Sequence, residues 1–345
     1  MTTPPTTPAA DLRALLNGAC LEPTALQDLF RAVAAGEFTP VEIAALLIAL
    51  KTRGETPEDI AAAATAFTAA ATPFPRTGAG IIDCVGTGGD GAGTINISTG
   101  SALIAAAGGL EVVKHGNRSV SSKSGAADVL EALGVPLDLS PEQAAATLES
   151  QGFTFLFAPA YHPAFKHVMP VRQALGVPTI FNLLGPLLNP ARPALQLMGT
   201  ARAELGPHLI EVMRQIGRER ALVVHGSGLD EIAVHGPTEV WELRDGEITH
   251  YTVTPEDLGL GTHTLSSLVG GDGRDNAQFM MDVFAGRGSE AHKDAMLASC
   301  GALFYLAGHA DTLAGGVARA REVIDSGQAA RWAATHLTRA GEFDV

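Results

Sequence analysis

Short apolar segments with the character of buried strands alternate with helical segments along most of this 345-residue chain. The strand candidates are residues 81–85, 111–113, 153–157, 195–198 and 221–224. The helical segments are residues 101–107, 128–133, 161–175, 205–216, 275–284 and 290–306. This alternation predicts a mainly parallel central sheet covered by helices, and residues 240–251 alternate like a hairpin at its edge. In such a sheet, the loops that bind ligands are those that follow the carboxyl ends of the strands.

The first part of the chain is helical instead. Residues 1–10 are rich in Thr and Pro and predict a disordered tail, whereas residues 11–71 show helical periodicity. Two Thr-Pro pairs in this region are each followed by an acid, which predicts helix N-caps. We therefore expect a small N-terminal helical domain and a larger α/β domain at residues 76–345. Part of residues 161–190 is expected to pack on the helical domain.

Composition and charge exclude several classes of protein. Hydrophobic residues make up 46% and charged residues 17%, so the chain can bury a sizeable core. The net charge of −14 argues against a nucleic-acid partner, because no basic surface would displace phosphate counterions. The longest uncharged stretch, residues 91–110, is broken by polar residues and glycines, which argues against a membrane span. Three cysteines without pair spacing, and a first segment unlike a secretory signal, predict a cytoplasmic protein.

A glycine-rich string follows the first strand candidate. Residues 86–91 read GTGGDG, and residues 94–99 (TINIST) lead into a helix. Glycines let backbone N–H groups turn toward an anion, and the N-terminus of a helix attracts phosphate. The string also matches the G-x-G-x-x-G pattern of dinucleotide-binding enzymes, but its helix begins late and Glu111 precedes the apolar residues of the second strand. The string therefore favours a phosphate-binding loop.

Two further segments follow strands and are expected to line the same crevice. Residues 114–125 (KHGNRSVSSKSG) hold three cations and four serines in an otherwise acidic chain. Asp230 and Glu231 follow the fifth strand candidate. Adjacent acids are usually surface charges, but beside a phosphate site they can bind Mg²⁺, which takes one or two carboxylates together with substrate oxygens.

The helical segment at residues 161–175 carries a further candidate. Arg172 can hold a carboxylate through two parallel hydrogen bonds. His162 and His167 lie five residues apart, a spacing that does not place them on one helix face as metal ligands. We expect these two histidines to pack or to form hydrogen bonds.

Together these segments resemble the anthranilate phosphoribosyltransferase family of tryptophan biosynthesis. The resemblance is carried by residues 83–91, 96–99, 114–122, 157–159, 169–172, 181–190 and 228–231. It runs in order from about residue 11 to residue 330. It implies the α/β architecture of the nucleoside phosphorylase and phosphoribosyltransferase class, with phosphoribosyl pyrophosphate and anthranilate as substrates. It also implies two Mg²⁺ ions and a homodimer built through the helical domain.

The resemblance assigns site residues by position. Phosphoribosyl pyrophosphate would contact Gly86, Gly89, Asp90, Thr94, Asn96, Ile97, Ser98, Thr99, Lys114, His115, Gly116, Asn117, Arg118, Ser119, Val120, Ser121 and Ser122. Anthranilate would contact Gly86, Asn117 and Arg172, and Mg²⁺ would contact Ser98, Asp230 and Glu231. Ala126 departs from the family pattern, since its side chain offers no polar group to the sugar phosphate.

The implied reaction needs no nucleophilic side chain, because the neutral aromatic amine attacks the ribose directly. No catalytic residue is assigned, and Asp83 and Asp90 are candidates only for receiving the released proton. Three alternatives stay open: a pyrimidine-nucleoside phosphorylase, an NAD-dependent enzyme, and a nucleotide-binding protein without activity. Arg172 and the acid pair favour the transferase, since phosphorolysis needs no metal bound to pyrophosphate.

Overall fold

The computed structural model describes residues 7–119 and 123–343. Its N-terminal helices are α1 (Pro8–Leu16), α2 (Pro23–Ala35), α3 (Pro40–Arg53) and α4 (Pro57–Ala69). The predicted ten-residue tail is too long, because the Thr7 hydroxyl accepts a backbone hydrogen bond and caps a helix that begins at Pro8. Residues 1–6 lie outside the described residues.

Helices α3 and α4 begin as the sequence predicts. The hydroxyls of Thr39 and Thr56 accept the backbone N–H groups of Glu42 and Asp59, and both acids bond back to the backbone of the Thr. This reciprocal capping satisfies two N–H groups at each helix start that would otherwise lack a partner. Both starts could therefore be predicted, because all the groups involved lie within four residues.

Seven strands of the described chain form one sheet. They are β1 (Gly78–Gly86), β2 (Glu111–Gly116), β3 (Phe153–Phe157), β4 (Pro193–Gly199), β5 (Arg220–Gly226), β6 (Thr238–Arg244) and β7 (Glu247–Val253). Their order across the sheet is β3-β2-β1-β4-β5-β6-β7. The first five in this order run parallel, and β6 and β7 add an antiparallel hairpin. The predicted mainly parallel sheet with an edge hairpin is confirmed.

Helices cover both faces of the sheet. They are α5 (Ile97–Ala107), α6 (Ala126–Ala132), α7 (Pro141–Gln151), α8 (Ala158–Tyr161), α9 (Met169–Leu175), α10 (Phe181–Leu184), α11 (Gly206–Gln215), α12 (Gly273–Phe284), α13 (Glu290–Leu306), α14 (Leu313–Asp325) and α15 (Gln328–His336). Within the described residues, none of the helices is long and apolar enough to cross a bilayer.

The single helix predicted for residues 161–175 is wrong. Helix α8 ends at its first residue, a 3-10 helix follows at Pro163–His167, and α9 begins after Val168. Pro163 and Pro170 each lie in the first turn of a new segment, where the missing N–H costs no hydrogen bond. Helical periodicity in the sequence did not reveal these two breaks.

The two largest apolar clusters of the described residues lie on opposite faces of the sheet. One face, which includes Ile82, packs against α5 and α13. The other face, which includes Met198, shares its core with α2, α3 and α4. Residues from the 161–190 region join this second core, where the ring of Phe181 stands edge-on to Phe67 with centroids 5.0 Å apart. The helical domain is thus packed directly on the sheet that carries the candidate site.

Candidate active site

Three loops meet at the carboxyl edge of the parallel strands. Residues 87–96 connect β1 to α5, and residues 117–125 connect β2 to α6. Asp230 and Glu231 lie in the loop that follows β5. Strands β1, β2 and β5 run in the same direction, so the three segments with candidate chemistry lie on the same side of the sheet.

Asp230 is fixed against the glycine-rich loop. The N–H of Gly88 donates to Oδ2 of Asp230 at 2.6 Å. The Asp230 carboxylate lies against Gly86, and its backbone lies against Gly199, so closely that a Cβ at either glycine would overlap it. The ends of β1 and β4 therefore require glycine, because a side chain at either position would overlap Asp230.

Glu231 is held by two helices. The N–H of Ser98, in the first turn of α5, donates to Oε1 at 3.2 Å, and Oγ of Ser299, on α13, donates to Oε2 at 3.3 Å. Desolvation and then the charge of Asp230 raise the pKa of Glu231 to about 8. Desolvation and then the charge of Asp90 raise the pKa of Asp230 to about 6. Carboxylates that resist ionising together favour a nearby cation.

Lys114 is a buried cation beside these acids. Its side chain is almost fully buried, at 2% exposure. Its Nζ donates to the carbonyl oxygen of Cys84 and, at 3.1 Å, to Oγ of Ser98. The Lys114 charge lowers the pKa of Glu231 and so opposes the effect of desolvation. A further cation beside the two acids would act in the same direction as Lys114 and favour the ionised form of Glu231.

The first turn of α5 contributes backbone groups more than side chains. Ile97 and Thr99 are assigned to ligand contact by the resemblance, but Ile97 is buried in the apolar core and the buried hydroxyl of Thr99 donates to Oδ1 of Asn96. Asn96 ties the first loop to the second, because its Nδ2 donates to the carbonyl oxygen of Ser124 at 3.1 Å. At the α5 N-terminus, the N–H of Ser98 is the group that reaches the acid pair, where it donates to Glu231.

Other residues of the first loop have separate positions. Gly89 is exposed and adopts a left-handed conformation, with φ of 85°. Asp90 is half-buried and accepts the N–H of Ala92 at 3.1 Å through Oδ1. Thr94 pairs with Val269 in an isolated antiparallel bridge, which brings the segment before α12 against the loop.

The second loop is anchored by Asp128 of α6. Its Oδ2 accepts the N–H groups of Ser119 at 3.2 Å and of Gly125 at 2.8 Å. The guanidinium of Arg118 binds Oδ1 of Asp128 at 3.1 Å and both carboxylate oxygens of Glu131 at 2.8 and 2.9 Å. These contacts fix both ends of the loop to the start of α6.

The centre of the second loop is described only in part. Gly116 ends β2, and Oδ1 of Asn117 accepts the N–H of Arg118 at 2.8 Å. Val120, Ser121 and Ser122 lie outside the described residues, so their assignment stays a prediction. Ala126 opens α6 directly after the loop.

The buried histidines form a neutral pair. The Nε2 atoms of His115 and His162 lie 3.1 Å apart, so one ring donates and the other accepts. Burial lowers the pKa of His115 to about 3 and that of His162 to about 4. The ring of His167 lies against Gly36 of the helical domain. The expectation of packing and hydrogen bonding for His162 and His167 is confirmed.

Arg172 lies on α9, apart from the acid pair. Its guanidinium is half-buried and stands 6.0 Å from the ring centroid of Phe181. Burial lowers the pKa of this guanidinium. Among the described residues no carboxylate forms an ion pair with Arg172, and no hydrogen bond links it to the glycine-rich loop. The structure therefore leaves this guanidinium available to an anionic group.

Several residues of the site were not predicted. Ser299 donates to Glu231, and Oδ1 of Asn276 accepts the N–H of Asn96 at 3.2 Å. Both lie on helices far along the chain, and no local pattern marks them. Asp128 could have been found, because an acid three residues after Gly125 is a signal for a helix start.

The donor set suits Mg²⁺. Asp230, Glu231 and Ser98 offer only oxygen atoms, and Mg²⁺ prefers oxygen ligands from a few carboxylates, water and substrate phosphates. Burial is the main cause of the raised pKa values of both acids; the charge of Asp90 further raises the pKa of Asp230, and the charge of Asp230 further raises the pKa of Glu231. A divalent cation beside them would favour their ionised forms. Within the described chain, no three His, Cys, Asp or Glu side chains form a cluster that could hold a metal ion.

Comparison with known families matches almost the whole chain. Residues 12–71 match the helical bundle domain of a glycosyl transferase family, and residues 78–330 match its a/b domain. Anthranilate phosphoribosyltransferase from Corynebacterium diphtheriae is 59% identical over 90% of this chain and 91% of its own length. The enzyme of that name from Corynebacterium glutamicum is 60% identical over 90% and 89%. The chain belongs to the anthranilate phosphoribosyltransferase family.

Solved structures of anthranilate phosphoribosyltransferases share this fold. The Thermus thermophilus protein is 44% identical, with a TM-score of 0.88 over 96% of this chain and 99% of that one. The Saccharomyces cerevisiae protein, solved in complex with phosphoribosyl pyrophosphate and Mg, is 28% identical, with a TM-score of 0.85 over 98% of both chains. The predicted family, its helical domain and its α/β domain are thus confirmed.

Proposed function

We propose that this chain transfers the phosphoribosyl group of phosphoribosyl pyrophosphate to the amine of anthranilate, releasing pyrophosphate, in tryptophan biosynthesis. The observation that carries the proposal is that the acid pair accepts backbone N–H groups from the first loop and from the N-terminus of α5. Gly88 donates to Asp230, and Ser98 donates to Glu231. A pyrophosphate at this edge of the sheet would meet backbone N–H groups, a buried ammonium and two carboxylates suited to Mg²⁺.

Mg²⁺ held by Ser98, Asp230 and Glu231 would supply positive charge to the pyrophosphate leaving group. The proposal of two ions rests on the family resemblance, and the geometry supports it. Asp230 points to Gly88 in the first loop, whereas Glu231 points to the α5 N-terminus and Ser299. The two carboxylates thus serve different sides of the site.

Phosphoribosyl pyrophosphate is proposed to lie across residues 86–99 and 114–122. Lys114 holds a fixed charge at the junction of these loops, since it bridges Cys84 and Ser98. Arg118 is more adaptable, because its ion pairs with Asp128 and Glu131 are exposed to solvent. Exchanging such exposed carboxylates for a phosphate is inexpensive in free energy.

Anthranilate is proposed to bind Arg172, with Asn117 and Gly86 at the reacting end. The guanidinium on α9 donates to Sδ of Met169 at 3.5 Å and forms no ion pair with a described residue, so it can clamp the anthranilate carboxylate through two hydrogen bonds. Its half-buried position strengthens that interaction relative to an exposed one. The neighbouring ring of Phe181, 6.0 Å away, provides an apolar surface beside the clamp.

The chemistry proposed for the chain is displacement at C1 of the ribose. The bond from C1 to the pyrophosphate oxygen breaks, the bond from C1 to the amine nitrogen forms, and the amine loses one proton. Positive charge that develops on the ribose is characteristic of glycosyl transfer. Asp83 is unsuited to receive the proton, because it is fully buried and bonded to Asn189. Asp90 is half-buried in the first loop and is the better acceptor.

We also propose a cytoplasmic homodimer formed through the helical domain. Val41 and Ile48 lie two turns apart on one face of α3 and are exposed, Val41 at 78%. Two exposed aliphatic side chains on one helix face can form part of a larger apolar contact between subunits. All three cysteines are free, which suits a reducing compartment. Sedimentation of the purified chain should give twice the monomer mass, and a monomer would contradict the dimer.

One assay tests the proposed activity. Purified protein is mixed with anthranilate, phosphoribosyl pyrophosphate and Mg²⁺, and the loss of anthranilate fluorescence is followed. Loss that requires all three components supports the proposal. Absence of loss at high enzyme concentration, together with phosphorolysis of thymidine, would instead favour the phosphorylase.

A further inference from the structure

A cavity with both polar and apolar lining lies at the amino-terminal ends of the strands, opposite the candidate active site. Its volume is about 240 Å³, and its walls come from α4, the end of α11 and the turns that precede β4 and β5. Arg192 immediately precedes β4, and Arg218 lies two residues before β5. Strand β4 spans seven residues, so its length places this cavity about 20 Å from the candidate active site.

Arg218 is a buried cation, and part of its guanidinium has no hydrogen-bond acceptor among the described residues. Its side chain is 7% exposed, and its Nε donates to Oε1 of Gln196 at 2.7 Å. Within the described residues, the two terminal nitrogens of its guanidinium have no hydrogen-bond acceptor and no carboxylate at ion-pair distance. Asp83 lies behind Asn189 and is the acid whose charge acts on Arg218. A buried guanidinium in this state favours an anionic partner.

Arg192 is held at the same cavity by a constrained turn. It adopts a left-handed conformation, with φ of 45°, which is uncommon for a residue other than glycine. Its N–H donates to the carbonyl oxygen of Asn189 at 2.9 Å, and Oδ1 of Asn189 accepts the N–H of Ala191 at 3.0 Å. The Arg192 side chain is exposed and forms no ion pair with any described residue.

The other residues that line the cavity suit the part of a small organic anion that carries no charge. Thr65 and Thr68 of α4 add hydroxyl groups to the lining. Ala64, Leu187 and Ile216 form an apolar side, against which a short carbon skeleton can lie. Among the described residues that line the cavity there is no Asp or Glu to compete for the two guanidinium groups.

We propose that this cavity is a second binding site, separate from the active site, for a small organic anion with a phosphate or carboxylate head. Arg218 and Arg192 bind the oxygen atoms of the head, because a guanidinium presents paired N–H donors that match an oxyanion. The threonine hydroxyls complete the polar side, and the skeleton of the ligand covers Leu187 and Ile216.

The test compares two substitutions that remove one positive charge each. Arg192→Asn deletes the guanidinium while Asn tolerates the left-handed backbone, so the turn is retained. Arg214→Gln is the control, since Arg214 is exposed on α11 and pairs with Glu211 outside the cavity. Isothermal titration with inorganic phosphate, glycerol 3-phosphate and malonate, at constant ionic strength and without Mg²⁺, gives the affinity of each protein.

At least one of these probes should bind the Arg192→Asn variant about tenfold more weakly than the wild type, and the Arg214→Gln variant should bind as the wild type does. A loss for the two phosphates identifies a phosphate head, and a loss for malonate identifies a carboxylate head. Arg218→Lys, with its melting temperature measured in chloride, should weaken the same probe without unfolding the chain. Equal affinities in wild type and Arg192→Asn, or no measurable binding to the wild type, would overturn the proposal.

Discussion

The two edges of the sheet carry opposite and unbalanced charge. At the carboxyl edge, Asp230 and Glu231 lie beside one buried ammonium, that of Lys114. At the amino edge, Arg192 and Arg218 line a cavity that no carboxylate among its described residues shares. The acid pair at the first edge therefore favours a cation, through which a pyrophosphate can bind, whereas the second edge favours an anion directly, although the chain as a whole carries a net charge of −14. Local burial, and not net charge, decides which ligand each edge can bind.

The two edges also differ in how their backbone is shaped. Gly86 and Gly199 at the carboxyl edge make room for Asp230, so its carboxylate can approach the strand ends. At the amino edge, Asn189 stabilises the turn before β4 by accepting the N–H of Ala191. Arg192, in the same turn, has a left-handed backbone conformation and lines the cavity. The first edge thus admits an acidic residue between the strand ends, whereas the second encloses a cavity of about 240 Å³.

The largest expected effect is loss of the acid pair at the carboxyl edge. Asp230→Asn combined with Glu231→Gln should lower turnover about a thousandfold, because Mg²⁺ contributes several kcal/mol to leaving-group stabilisation. High Mg²⁺ should restore part of the activity. Steady-state rates of anthranilate consumption measure both effects.

The matched control for the acid pair is Asp245→Asn combined with Glu247→Gln. These exposed acids flank the turn of the β6–β7 hairpin, and the change in net charge is the same. Turnover of the control should equal that of the wild type. Unchanged turnover in the Asp230 and Glu231 variant would remove these acids from the metal site and break the contrast between the two edges.

A smaller effect is expected for Arg172→Ala. Loss of a charge-assisted clamp costs about 1.5–3 kcal/mol, which corresponds to a rise of roughly ten- to a hundredfold in KM for anthranilate. The KM for phosphoribosyl pyrophosphate should change little, because no hydrogen bond of the described structure links Arg172 to the phosphate loops. Equal rises in both KM values would refute the carboxylate clamp.

The smallest effect concerns a buried pair that carries no charge at neutral pH. Burial lowers the pKa of His115 to about 3 and of His162 to about 4, below the value near 6.5 expected in the unfolded chain. The unfolded chain thus takes up protons that the folded chain does not, so stability is lost as pH falls from about 6.5 toward 4. Each histidine contributes a loss of about 1.4 kcal/mol per pH unit in this window.

His162→Asn should reduce this acid sensitivity by the contribution of one histidine. Urea unfolding at pH 7, 6 and 5 measures the slope, with exposed His208→Asn as the control. The slope of the free energy of unfolding against pH should be the same with and without Mg²⁺ or phosphate. Ligand binding at the two charged edges, by contrast, should depend on these ions. An identical slope in the wild type and the His162→Asn variant would show that the pair does not titrate as the burial indicates.

How much the sequence predicts depends on how local the cause is. The caps of α3 and α4 involve residues within four positions, and the strands β1 to β5 are short apolar runs, so both were predicted. The grouping of the loops after β1, β2 and β5 follows from parallel strands alone. The breaks within residues 161–175 were not predicted. Pro163 and Pro170 each lie in the first turn of a new helical segment, but the spacing of the apolar residues stays helical across both breaks.

Contacts between distant segments could not be predicted from one sequence. Ser299 reaches Glu231 across 68 positions, and a serine inside an apolar helix has no distinguishing pattern. The burial of Ile97 in the core also follows from packing and not from the loop motif around it. Arg192 and Arg218 come together only because β4 and β5 are neighbours in the sheet.

The central claim, that the acid pair binds pyrophosphate through Mg²⁺, is tested most directly by pyrophosphate titration of the wild type and of the Asp230→Asn, Glu231→Gln variant. The affinity for pyrophosphate is measured by isothermal titration calorimetry, with and without Mg²⁺, for both proteins. Mg²⁺ should strengthen pyrophosphate binding to the wild type by about a hundredfold, which corresponds to roughly 2.7 kcal/mol, and should not strengthen binding to the variant. An equal gain from Mg²⁺ in both proteins would contradict the account.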